Sequence, residues 1–324
     1  MKRKILISVA LTLLIAALLF MTWDMFFSGR GGSVSPEPAL EQVNTADTIC
    51  AQYNETMQFG TGLEDPRGIA VDLSGRIYVC GGGGVAIFDR EGKREGGFHL
   101  AGTANCIYPD LSGKLYLGMG DRIEIRNPSG KELAQWESCG EESIITSVAA
   151  AENEVFIADA GNKIVFYYTA SGKMIGKFGT KDPERGIPGF VIPSPYFDLG
   201  FGKKGELWIV NPGRHKFEQY DREGSLIASW GESSLTVEGF CGCCNPSNFA
   251  VMSDGSFVTA EKGIERIKIY RPDGSFSCLV AGPESFIEGT RGIDLAVDSR
   301  DRIIVLDPGR NQVRIFVKKD EGNE

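Results

Sequence analysis

Residues Pro246 to Gly282 read PSNFAVMSDGSFVTAEKGIERIKIYRPDGSFSCLVAG, four short apolar segments punctuated by turns. Phe249–Met252 runs into Ser253-Asp254-Gly255, and Ser256–Ala260 follows. Ile264–Tyr270 comes third, and after Pro272-Asp273-Gly274 the segment Ser275–Val280 ends the unit. Asp-Gly between alternating apolar residues predicts two-residue hairpin turns, because a primed turn needs positive φ and glycine supplies it without steric cost. One four-stranded unit buries too little surface to stand alone, so copies are expected.

The copies recur at roughly forty residues, the spacing of propeller blades. With the first turn as a ruler, Gly75, Gly113, Asn153, Gly205, Gly255 and Asp301 take equivalent places, which predicts six blades. The strand after each turn reads RIYV, KLYL, EVFI, ELWI, SFVT and RIIV. A further segment matches in three copies: Asp159-Ala-Gly-Asn162, Asn211-Pro-Gly-Arg-His215 and Asp307-Pro-Gly-Arg-Asn311. These residues resemble the NHL repeat, whose consensus joins such a strand pair to a segment like D-x-G-N-H-R-I-x-V-F. The resemblance implies an all-β fold, a six-bladed NHL-type β-propeller.

The sixth blade has only three strands of its own before the charged tail, residues 318–324. Met57-Gln58-Phe59-Gly60-Thr61 matches Gly176-Lys177-Phe178-Gly179-Thr180, the end of an outer strand. Asn54 to Gly60 is therefore expected to pair with the last blade and close the ring, which removes an exposed sheet edge. The propeller then covers residues 54–317.

Ahead of it, Lys2-Arg3-Lys4 precedes nineteen uncharged residues, Ile5 to Trp23. That length predicts one N-terminal transmembrane helix, a signal anchor, with the basic cluster in the cytoplasm and the propeller on the extracytoplasmic side. A cleaved signal peptide is the alternative. Residues 24–53 read as a flexible linker. The net charge of -9 excludes the basic field that nucleic-acid binding requires.

Eight cysteines outside the cytoplasm raise the question of disulfides. Three stand in Cys241-Gly242-Cys243-Cys244, where adjacent cysteines join only through a strained ring, so distant pairing, metal ligation and redox exchange all stay open. The repeat brings Cys80, Cys106, Cys139, Cys241, Cys243 and Cys244 to one face, around the mouth of the central channel. Cys50 and Cys278 fall elsewhere, and a buried thiol or a peripheral disulfide is expected there.

The same alignment predicts two rings of polar side chains. The first holds Gly68, Cys106, Thr146, Asp198, Asn248 and Asp294, where each inner strand meets the channel. The second holds Cys80, Gly118, Asp159, Asn211, Glu261 and Asp307. Carboxylate and amide oxygens suit a hard cation, with Asp198, Asn248, Asp294 and Cys106 as candidate ligands. Thiolates would favour a softer metal ion or an iron-sulfur cluster. Asp159 and Asp307 could instead serve the turns that follow them.

With only two histidines, a multi-histidine zinc site is excluded. His215 stands at the histidine position of the repeat and His99 in an outer strand, so neither is expected to be catalytic. The loops Lys181–Pro195 and Leu235–Phe240 are expected to flank a pocket. Two functions follow. One is a membrane-tethered binding or redox-accessory module that offers the cysteine-rich face to a protein partner or small ligand. The other is a metal-dependent hydrolase or lyase, similar to six-bladed gluconolactonase-like enzymes that hold a divalent cation in the channel.

Overall fold

The computed structural model describes residues 53–319. The apolar run 5–23, most of the linker and the end of the tail lie outside them. Among the described residues no helix is long and apolar enough to cross a membrane.

Six antiparallel four-stranded sheets make up the domain, and five of them are consecutive in the chain. The sixth combines Asp294–Val297, Ile303–Asp307 and Gln312–Lys318 with the first described strand, Tyr53–Gly60. Tyr53 lies opposite Lys318 and Gly60 opposite Gln312, with a bulge between Glu55 and Met57. Closure therefore falls where the match between Met57–Thr61 and Gly176–Thr180 placed it.

Second strands show why the repeat reads as continuous apolar runs instead of a clean alternation. Ile77–Gly81 is buried at every position because both faces of a blade are covered by neighbours. Side chains alternate between the two sides. Ile77 and Val79 pack with Ile304 and Leu306 of blade six, while Tyr78 and Cys80 pack with Leu115 and Leu117 of blade two. Six apolar clusters result, one in each gap between blades.

The Asp-Gly turns differ from the expected two-residue form. Met252 N–H donates to Ser256 O at 2.8 Å and Gly255 N–H to Met252 O at 2.9 Å, so three residues are enclosed. Gly255 takes φ +93° at the left-handed position of this bulged loop. Aspartate supplies the remaining contacts: Asp72 Oδ1 accepts from the Ser74 and Arg76 N–H groups, and Asp110 Oδ1 from those of Ser112 and Lys114. A side chain thus caps the turn that a tighter backbone would have closed alone.

Candidate functional site

Inner strands begin, and second strands end, on one face, as the pairings Gly68 to Cys80, Cys106 to Gly118 and Asn248 to Ala260 require. The central channel forms a cavity of about 730 Å³. Cys106, Thr146, Asp198, Asn248 and Asp294 all line it, so the first predicted ring is the throat of the channel.

Four throat residues tie their blades to the next. Thr146 Oγ1 donates to Phe197 O at 2.6 Å, and Asn248 Nδ2 to Ile293 O at 2.6 Å. Asp198 accepts from Leu199 N–H, from the Ser147 hydroxyl and, across the gap, from Phe249 N–H at 2.9 Å. Asp294 accepts from Leu295 N–H and, across the seam to blade one, from Ile69 N–H at 2.8 Å. Both residues are half-buried in the channel wall. Burial raises Asp198 to about 6, and burial together with the charge of Asp198 raises Asp294 to about 7.

Each of their four carboxylate oxygens already accepts a hydrogen bond, at Oδ1 from its own strand and at Oδ2 from the next blade, which leaves lone pairs on Asp198 Oδ2 and on both Asp294 oxygens for a further partner. Among the described residues no three His, Cys, Asp or Glu side chains converge on one point. The second ring is fully buried, and its polar side chains are paired within the protein. Asp159 accepts from the Gly161 and Asn162 N–H groups, Asn211 spans Gly189 O and Val191 N–H, Glu261 pairs with Arg266 and Lys268, and Asp307 with Arg310 and Arg314.

The six thiols differ in their surroundings, and all six are free. Cys80 and Cys106 lie side by side in the core, where a Cβ on Gly68 would come 2.9 Å from Cys80 Sγ and 3.0 Å from Cys106 Cα. Burial pushes both thiols well up, the behaviour of inert structural cysteines. Cys139 Sγ meets the Tyr168 hydroxyl at 3.5 Å, and Cys241 Sγ meets the Arg266 guanidinium at 3.6 Å; burial raises these two as well. Cys278 is disulfide-bonded.

Cys243 and Cys244 stand apart from the rest. Their sulfurs lie 3.1 Å from each other, Cys243 exposed and Cys244 buried. The Ser194 hydroxyl donates to Cys244 Sγ at 2.9 Å, and Lys262 Nζ donates to Ser194 Oγ at 2.9 Å. Burial opposes a charge on Cys244, but Ser194, Cys243 and Lys262 outweigh it and hold this thiol below its ordinary value. Cys243 is raised by its hydrogen bond to the same neighbour. Of the two sulfurs, Cys244 is thus the one that gives up its proton more readily.

The loop is fixed from both sides. Asn245 Nδ2 donates to Cys241 O and Lys262 O, Asn245 Oδ1 accepts from Lys262 N–H, and the Asn245-Pro246 bond is cis. His215 contacts Gly242 O, a structural role. The dithiol is connected to the channel through its neighbours: Ser194 precedes Pro195 and Tyr196, which line the mouth, and Lys262 Nζ sits 4.5 Å above the Tyr196 ring. Ser194, Tyr196, Lys262 and Arg291 were not singled out from the sequence, because no repeat position marks them.

The two expected flanking loops behave differently. Ile187, Phe190 and Ile192 of the first enter the core between blades three and four, and only its end reaches the channel. The second loop packs against blade five, where Val237 O and Gly239 O accept from Lys268 Nζ and Glu238 O from the Tyr270 hydroxyl.

No protein-family model and no curated protein matches the sequence. Solved structures match its fold. A virginiamycin B lyase from Staphylococcus aureus superimposes with a TM-score of 0.59 at 11% identity, covering 82% of this chain and 99% of that one. A streptogramin B lyase gives 0.55 at 14% identity over 84% and 88%. A Bacteroides thetaiotaomicron protein of unknown function gives 0.58 at 12% over 84% and 74%. The chain has the six-bladed propeller fold of these proteins.

Proposed function

We propose that this chain is a binding and redox-accessory module, tethered to a membrane by residues 5–23 and working outside the cytoplasm, whose reactive group is the Cys243–Cys244 dithiol. One observation carries the reading: two sulfurs 3.1 Å apart, one exposed and the other held toward the thiolate by Ser194 and Lys262. A thiolate is the form that attacks disulfides and electrophiles, and the short contact lets the proton pass so that the charge reaches Cys243. The disulfide at Cys278 suits an oxidising compartment.

Alkylation of the reduced protein with iodoacetamide, followed by peptide mass spectrometry, tests this. Cys243 is expected to react about tenfold faster or more than Cys80, Cys106, Cys139 and Cys241, in line with thiolate fraction and exposure. Lys262→Met should move the pH midpoint of Cys243 labelling upward, since it removes the cation that favours the charge. Equal rates at all six thiols, or an unmoved midpoint, would sink the proposal.

A second reading, a lyase working in the channel, draws on the fold shared with two streptogramin B lyases and on two throat carboxyls near 6 and 7, a range suited to proton transfer. Against it stands a histidine. A histidine-to-alanine variant of the Staphylococcus aureus lyase is catalytically inactive, and among the described residues no histidine lines the channel here. Virginiamycin B that survives incubation with this protein would remove the reading.

A further inference from the structure

The channel mouth carries a charge pattern that the dithiol alone does not use. In a chain of net charge -9, three basic side chains, Arg67, Lys262 and Arg291, gather at Tyr196. Burial raises this phenol, Arg291 and Arg67 draw it down, and Cys244 pushes it up. Arg67, Arg291 and Tyr196 line the same mouth, and Lys262 links Tyr196 through Ser194 to Cys244. Arg67 is partly engaged by Asp65 at 2.8 Å and by Asn105 Oδ1 at 2.7 Å. Arg291 is exposed and makes no hydrogen bond or ion pair among the described residues.

Below the rim the polarity inverts. Asp198 and Asp294 line the channel there, and Asn248 and Thr146 share the same throat. A ligand that satisfies both levels has a carboxylate above and an ammonium below. About 730 Å³ is room for a small molecule of that kind.

We propose that the mouth binds a small zwitterionic, peptide-like disulfide, with its carboxylate on Arg291 and Arg67, its ammonium toward Asp198 and Asp294, and a sulfur against Cys243. This rests on the dithiol reading above. Cys243 passes its proton to Cys244 and attacks one ligand sulfur. The ligand S–S bond breaks, a new S–S bond forms to Cys243, and the departing half takes up the proton as a free thiol. The ligand disulfide is the oxidant. Because neighbouring cysteines close only a strained ring, the mixed disulfide on Cys243 is the expected product.

The test offers the full-length reduced protein oxidised glutathione or neutral 2-hydroxyethyl disulfide, each rate divided by that of the same reagent with free cysteine. Wild type should favour oxidised glutathione by about tenfold, and Arg291→Ala should erase that preference, the loss of about one charge-assisted contact. Calorimetry with S-methylglutathione, which cannot exchange, reports the site without the chemistry: binding to wild type and not to Arg291→Ala is expected. If Cys243 reacts with both disulfides alike and S-methylglutathione does not bind, the ligand class is wrong and the dithiol reading survives. If S-methylglutathione binds through Arg291 but neither disulfide modifies Cys243, the transfer step and the dithiol reading both fail.

Discussion

Asp198 and Asp294 each spend a carboxylate on an N–H of the following blade, in a place where burial works against their charge. Their folded values, about 6 and about 7, lie above the ordinary 3.8. Between about pH 4 and pH 7 the native protein therefore binds more protons than the unfolded chain, and stability falls as pH rises through that window. Below it both states are protonated and the effect vanishes. Urea denaturation at pH 5 and pH 7.5 should show this fall, and the Asp198→Asn, Asp294→Asn double variant, though less stable, should show a shallower one. An identical slope in both proteins would contradict the assignment. These throat residues were legible in the sequence, because the repeat fixes which position of an inner strand meets the channel. Ser194, Tyr196, Lys262 and Arg291 were not. They come from connections whose meeting depends on how blades four, five and six stand beside one another, and spacing along the chain carries no such information.

The closing strand was legible for a different reason: Met57–Thr61 repeats an outer-strand ending, and only blade six lacked such a strand. What the sequence did not disclose is the ionic clamp that holds it. Arg314, 6% exposed, reaches Glu55 through Nη2 at 2.6 Å and Nε at 3.1 Å, Asp307 Oδ2 at 3.3 Å and Ser285 O at 2.8 Å. Removing one partner of a buried pair leaves the others uncompensated, which costs about 3–5 kcal/mol. Arg314→Ala should lower stability by about that amount in urea titration, while Arg67→Ala, at a salt bridge with both side chains about half exposed, should cost about 1 kcal/mol or less. Comparable losses in the two variants would argue against the clamp. The loop Lys181–Pro195 shows where reading by length fails. Its apolar residues, Ile187, Phe190 and Ile192, marked it as a filler of the core, and they outweighed its four prolines.

Across the whole molecule, the six apolar gaps and the throat bonds serve one arrangement: every blade is completed by its neighbours, so no sheet is stable by itself. The six-cysteine face predicted from the repeat illustrates what such a ring does with similar residues. Cys80 and Cys106 lie on strands, whose side chains the gaps absorb, and become core. Cys243 and Cys244 lie on a connection, which buries one sulfur and leaves the other open. Identical chemistry is silenced or exposed by the element that carries it.

Tyr53 pairs with Lys318 across one strand spacing, so the two boundaries of the ring are adjacent. The position of the break in the covalent circle is then a matter of genetic order and not of architecture. A circularly permuted gene that fuses these boundaries through a short glycine-serine bridge and starts instead at the Asp110–Gly113 bend would keep every strand, move the blade shared by the two chain ends from six to two, and give the molecule a new handle on the rim opposite the thiols.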